Sequence, residues 1–195
     1  MALRPGIFLD KDGTLLVDVP YNMDPAKMRL APGAAEGIGL LAGLGLPLII
    51  VSNQPGIALG KSEPAELGLM EARLREMVGE AGAELAGCYW CPHHPEGRVA
   101  PYGAICDCRK PAPGMLLRAA EAHGVDLSRS WMIGDILHDI EAGRRAGCST
   151  VLIDNGNETE WVMNEWRIPH HRVGDFAQAA RIVAASVMEG EGVGR

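Results

Sequence analysis

Two aspartates two residues apart, Asp10 and Asp12 in "LDKDGT", are the first residues of this chain with a spacing that could do chemistry. Asp135 and Asp139 stand in "GDILHD", Ser52 and Asn53 close "VSN", and Arg109 and Lys110 follow a cluster of cysteines. Carboxylates brought to one point repel one another unless a cation lies between them. Hard carboxylate oxygens select Mg²⁺ in particular when phosphate supplies the remaining ligands. One ionised aspartate could then attack phosphorus and carry the phosphoryl group. The second cannot point the same way from a strand. From a tight turn at Gly13 it can swing back, protonate the leaving oxygen and later activate water. The Ser52 hydroxyl, the amides after it and the Lys110 ammonium would neutralise the phosphoryl oxygens in the transition state.

Each motif alone has a plainer reading. Asp-Gly is a common turn pair, and an aspartate before a helix is a common cap. What separates the chemical reading is that each motif ends an apolar run. "GIFLD" (6–10), "LPLIIVS" (46–52) and "SWMIGD" (130–135) read as buried parallel strands, with further strands at "GCYWC" (87–91) and "STVLID" (149–154). Between them lie helical patterns at 32–45, 63–82, 113–124, 137–146 and 176–188, the second spacing Leu67, Met70, Leu74 and Met77 three to four residues apart. Residues 11–31 read as a turn and a flap. Alternating strands and helices predict an α/β fold, a Rossmann-like parallel sheet with helices on both faces. Ligands collect at the carboxyl ends of such strands, so the separated polar ends should converge on one site. No inserted domain follows the first or second strand, which predicts a capless, open site. One domain is expected over residues 1–189, with 190–195 as a disordered tail.

The cysteines pose a separate question. "CYWCPHHPEGRVAPYGAICDCRKPAPGM" (88–115) holds four of the five, with two histidines. Spacing allows two tetrahedral zinc sets, Cys88, Cys91, Cys106 and Cys108, or Cys91, His93, Cys106 and Cys108. Either leaves no open position for water, so the zinc would be structural. Its last ligand precedes Arg109 and Lys110 directly, and a staple there would fix where two cations point. Cys148 reads as core.

Composition narrows the partners. A net charge of -7 argues against non-specific binding to nucleic acid or an anionic membrane, while Arg109 and Lys110 still suit an anionic substrate. "IGLLAGLGLPLIIV" is broken by Gly43, Gly45 and Pro47 and is too short to span a bilayer. Lacking an export signal, the chain is expected in the cytoplasm, as a monomer acting on a small molecule, with clustered cysteines as metal ligands rather than disulfides. "NETEWVMNEWRIPHH" (157–171), with Trp161 and Trp166, reads as packed amphipathic surface rather than a cover over substrate.

The order D-x-D-G-T, S/T-N, K and G-D-x-x-x-D resembles the haloacid dehalogenase superfamily of phosphatases over almost the whole chain. "NQPGIALG", "CPHHPEG", "CDCRKPAPGM" and "MIGDILHDIEAGRRAG" are similar to its branch of heptose-bisphosphate and histidinol-phosphate phosphatases. The resemblance implies Asp10 as nucleophile and Asp12 as general acid/base, with Ser52, Asn53 and Lys110 binding phosphate. It implies Mg²⁺ on Asp10, the Asp12 carbonyl and Asp135, with Asp139 behind them. It favours the zinc set with His93, leaving Cys88 as a small buried hydrophobe and His94 spare. The implied reaction is loss of the 7-phosphate of a heptose 1,7-bisphosphate, on the route to nucleotide-activated heptose for lipopolysaccharide core. Arg109 is the residue expected to meet a second phosphate or a sugar hydroxyl. The rival readings are a phosphatase of histidinol phosphate or another small monoester, phosphoryl transfer to a second sugar, and an inactive zinc-stapled binding module. The intact Asp10, Asp12, Lys110 and Asp135 set opposes the last. Pro55, Leu59 and Ile136 depart from the family pattern, where Ser, Arg and Lys are usual.

Overall fold

The computed structural model describes residues 3–192. Six strands, β1 (Ile7–Leu9), β2 (Leu48–Asn53), β3 (Leu85–Cys91), β4 (Trp131–Gly134), β5 (Ser149–Ile153) and β6 (His171–Val173), form one sheet in the order β3-β2-β1-β4-β5-β6. All five pairings are parallel. The chain builds outward from β1 to β3, then crosses back to start β4 on the other side of β1. The strand order therefore reverses between β1 and β4, where a doubly wound sheet opens a crevice.

Strand alternation divides the core. Ile7 and Leu9 face a cluster with Ile50, Ile133 and residues of α1 (Ala34–Ala42), α2 (Glu66–Glu80) and α5 (Phe176–Gly192). Phe8, Ile49, Val51 and Met132 face the other side, with Met115, Leu116 and Ala119 of α3 (Gly114–His123) and Ala142 of α4 (Leu137–Ala146). Both faces of the sheet are thus covered by helix, as the continuous apolar runs require. Among the described residues, neither 10–33 nor 54–65 carries an inserted domain.

Element boundaries differ from expectation for local reasons. α1 begins at Ala34 because Gly33 takes φ 75° and turns the chain ahead of the helix. α2 begins at Glu66, whose carboxylate accepts from the Glu63 amide at 2.7 Å across the preceding turn. α5 runs to Gly192, and residues 193–195 of the expected tail lie outside the described residues. β6 was not expected. Its three residues lie at the sheet edge, two of them exposed, and such a strand carries no burial pattern to read.

α1 and α5 meet where a side chain is not tolerated. A Cβ at Gly37 would lie 2.4 Å from Phe176 Cδ1 and 3.1 Å from the Phe176 carbonyl oxygen. Gly37→Ala should therefore destabilise the fold by about 1–3 kcal/mol through overpacking. At exposed Gly68 in α2 a Cβ would meet nothing within 4 Å. Gly68→Ala should stabilise by roughly 0.5–1 kcal/mol. Urea unfolding of both variants checks the pair, and equal shifts would contradict the packing described.

Candidate active site

Asp10 follows β1 directly, its amide donating to the Ile133 carbonyl of β4 at 2.9 Å, which aligns the ends of the two strands. The chain then turns sharply. Gly13 has φ 82°, and a Cβ there would lie 2.0 Å from Asp135 Oδ2 and 2.4 Å from Asn157 Nδ2. Only glycine allows this approach, which folds Asp12 back toward the strand ends. Asp135, next after β4, accepts from Thr14 Oγ1 at 3.0 Å and from Asn157 Nδ2 at 2.7 Å.

Lys110 comes in from the cysteine loop and is buried. Its ammonium lies 2.5 Å from Asp10 Oδ1, 2.8 Å from the Val51 carbonyl, and 2.6 Å from Asp139 Oδ1. The last contact is a buried ion pair. Asp139 Oδ2 accepts from the Ile136 amide at 3.2 Å, so both of its oxygens are engaged within the protein. That keeps Asp139 behind Lys110. A Cβ at Gly134 would press on the Asp139 side chain at 2.2 Å, so this close packing also depends on a glycine.

Burial tries to strip the proton from Lys110, but Asp10 and Asp139 outweigh it and hold the ammonium above its ordinary range. The acids carry the opposite strain. Burial pushes Asp10 up to about 6, with Asp139 adding repulsion and Lys110 opposing. Burial, then Asp10 and Asp139, push Asp135 to about 8 against the hydrogen bonds of Asn157 and Thr14. Carboxylate oxygens of Asp10, Asp135 and Asp139 converge within 4.8 Å of one another. All-oxygen donors, with Asp10 and Asp135 held above the usual carboxylate range, fit a hard divalent cation on the Asp10 and Asp135 side.

These groups share a cleft of about 290 Å³ lined by Asp10, Asp12, Ser52, Asn53, Lys110 and Asp135, with Ile136 beside them. Two expected residues are placed otherwise. The Asn53 amide is occupied by the Lys110 backbone, donating to its carbonyl at 3.1 Å and accepting from its N–H at 3.0 Å. Arg109 lies in a neighbouring depression with Cys106, Ala112 and His138, and donates to the His93 carbonyl at 3.3 Å. Gln54, Asn157, Asp18 and Tyr21 also line the cleft and were not expected. Asn157 follows β5, so the same reading of polar residues after a strand could have found it.

The cysteine question resolves geometrically. Cys91, His93, Cys106 and Cys108 bring their ligand atoms together. Cys108 Sγ lies 3.1 Å from Cys91 Sγ, 3.2 Å from Cys106 Sγ and 3.3 Å from His93 Nδ1. A soft tetrahedral donor set of this kind fits zinc. Cys88 stands apart in β3, its thiol pushed up to about 12 by burial and by Glu71. Cys148 is buried core. In the 157–171 segment, Arg172 stacks over Trp161 and Arg145 over Trp166, while the His170 ring accepts from the Thr150 amide. Packing is only partial in this segment: Val162, Met163 and Ile168 are exposed, Glu158 accepts from the Leu137 amide at 2.7 Å, and Asn157 reaches the cleft.

The family model Hydrolase_like, described as HAD-hydrolase-like, matches residues 107–179. A D-glycero-beta-D-manno-heptose-1,7-bisphosphate 7-phosphatase of Escherichia coli K12 is 37% identical over 169 residues, covering 82% of this chain and 88% of that one. The Pseudomonas aeruginosa PAO1 protein of the same name is 40% identical over 154 residues, covering 78% and 83%. The crystal structure of D,D-heptose 1,7-bisphosphate phosphatase from B. bronchiseptica, complexed with magnesium and phosphate, superposes with a TM-score of 0.75 at 26% identity, covering 95% of this chain and 99% of that one.

The crowded acids set a pH dependence. With divalent cations chelated, Asp10 and Asp135 titrate at about 6 and about 8 rather than 3.8. The native state then binds more protons than the unfolded chain between about pH 4 and 8, and their contribution to stability falls as pH rises through that window. Asp135→Asn should flatten the fall in thermal melts and stabilise the chelated protein at pH 8. Added divalent cation should raise Tm of the unsubstituted protein more at pH 8 than at pH 5. A larger cation effect at pH 5 would contradict the repulsion assigned to this site.

Proposed function

The chain belongs to the HAD-like hydrolases, and we propose that it is an Mg²⁺-dependent phosphatase removing the 7-phosphate of D-glycero-D-manno-heptose 1,7-bisphosphate. The observation that carries the reading is Lys110, ion-paired with Asp10 beside Asp135 in a cleft that Asp12 and Ser52 also line. Asp10 attacks phosphorus, the ester P–O bond breaks, and the departing alcohol oxygen takes a proton from Asp12. Burial lifts the Asp12 carboxyl above its ordinary range against the pull of Lys11, which suits a group that must first hold a proton. Water then gives a proton to Asp12 and attacks the aspartyl-phosphate, releasing Asp10 and inorganic phosphate. Ser52 and Lys110 donate to the phosphoryl oxygens as charge builds. Held by Asp10, Asp135 and the Asp12 carbonyl, Mg²⁺ would neutralise the crowded carboxylates and polarise the phosphoryl group.

The substrate rests on the relatives, which are heptose-1,7-bisphosphate 7-phosphatases by name, and on a cleft without an inserted cap among the described residues. Asn53 contributes by fixing Lys110, and Arg109, tied to the zinc loop, is the cation assigned to the sugar's second phosphate. A second reading, histidinol phosphate, is favoured by Asp18, an acid lining the same cleft that would suit a cationic substituent. A cytoplasmic, monomeric enzyme of one domain over residues 1–189 completes the reading. The single sheet, covered on both faces, supports its last part.

Steady-state hydrolysis tests the reaction and the substrate together. With Mg²⁺, kcat/KM should be higher for the heptose bisphosphate than for histidinol phosphate, and Arg109→Ala should erase the preference. Asp10→Asn should abolish turnover, and Asp12→Asn should lower it roughly 10²–10⁴-fold. Full activity in Asp10→Asn would end the nucleophile assignment, and a preference for histidinol phosphate would select the second reading.

Zinc is assigned to Cys91, His93, Cys106 and Cys108 as a closed structural site that holds the loop carrying Lys110. Metal analysis should find one zinc per chain, lost in Cys106→Ser and retained in Cys88→Ala. The loss should open residues 91–110 to proteolysis and lower kcat through Lys110. Zinc lost from Cys88→Ala but kept in His93→Ala would instead support the all-cysteine set.

A further inference from the structure

Gln54 follows β2 and is 3% exposed. Both protons of its amide nitrogen have partners in the machinery: Nε2 donates to Asp12 Oδ2 at 3.0 Å and to Ser52 Oγ at 3.1 Å. In the ionised state that Asp12 reaches once it has given up its proton, the carboxylate only accepts and is met by the NH₂ face of the amide. A hydroxyl has one proton to give. Ser52 oxygen accepts from Gln54, so its own proton is left for another acceptor, which in this cleft is a phosphoryl oxygen. The same amide holds one side of Asp12, while Lys11 Nζ holds Asp12 Oδ1 at 2.6 Å on the other. The backbone of Gln54 is pinned as well, its N–H donating to the Cys91 carbonyl at 2.7 Å.

We propose that Gln54 is a positioning residue that sets two events with one amide: it fixes the direction in which Ser52 donates and the place from which Asp12 delivers its proton. The inference rests on the phosphatase reading and adds to it a residue with no chemistry of its own. It also predicts an inverted order of substitutions. Glutamate nearly matches glutamine in shape, so a purely structural role would tolerate Gln54→Glu best. If the amide protons matter, glutamate is the worst choice. Its carboxylate would repel Asp12 and draw the Ser52 proton away from the phosphoryl group.

The test compares two esters in the same preparations of wild type, Gln54→Met and Gln54→Glu. p-Nitrophenyl phosphate releases a phenolate that needs little protonation, whereas the heptose bisphosphate releases an alkoxide that needs the Asp12 proton. The ratio of the two kcat values within one preparation does not depend on how much of the protein folds. Gln54→Met should lower the heptose-to-aryl ratio roughly tenfold or more, a share of the general-acid contribution. Gln54→Glu should lower it further and raise KM for both esters. An unchanged ratio in both variants, or a glutamate variant equal to wild type, would overturn the inference alone. Wild-type protein inert toward both esters would overturn the phosphatase reading, and this inference with it.

Discussion

The buried Lys110 ammonium between Asp10 and Asp139 is the interaction on which the remaining geometry depends. Alone, any of the three would be expelled from the protein or neutralised, because isolated buried charge is costly. Around them the chain has placed Asp12 and Asp135 as well, with Lys11 as the second cation. With Asp18, which also lines the cleft, five carboxylates face two ammoniums. Fully ionised, the site carries an excess of negative charge that a divalent cation would relieve. Burial first, and this crowding of like charge after it, raise the titration of Asp10 and Asp135.

Lys110 comes from a loop that makes no regular structure, so its placement needs separate means. Asn53 grips the Lys110 backbone through both its amide groups, tying the loop to the end of β2. Cys91, which starts the metal-ligand set, pairs with Asn53 across the β2–β3 ladder. The sulfur cluster and the asparagine clip therefore stand on neighbouring strand ends and hold the same stretch from two directions. Arg109, between them, is anchored on the His93 carbonyl and not in the cleft itself.

What could be read from the residues follows from which interactions leave a local pattern. β1, β2 and β4 are buried on both faces and appear as apolar runs. Asp10, Ser52 and Asp135 follow from the polarity break at their ends. β6 leaves no such break, being an edge strand of three residues. Gln54 could not be ranked above other loop amides, because its role depends on a partner 42 positions away, whereas Asn157 falls in the polar stretch after β5. Asn53 lines the cleft, but its amide is taken up by the Lys110 backbone, a contact without any signature in residue type. The choice between Cys88 and His93 likewise stayed open on spacing alone, and only the separation of Cys88 along β3 decides it.

The position of β1 in the sheet has a consequence for timing. This three-residue strand is paired on both sides, to β2 and β4, and Ile7, Phe8 and Leu9 are buried. Amides in such a place exchange with solvent only through the largest openings of the fold. Asp10 belongs to the same block, because Lys11, Thr14, Leu15 and Leu16 after it are buried as well, and exposed side chains begin only at Val17 and Tyr21. Side chains of that exposed rim can therefore rearrange around an arriving or departing ester while the attacking carboxylate keeps its place.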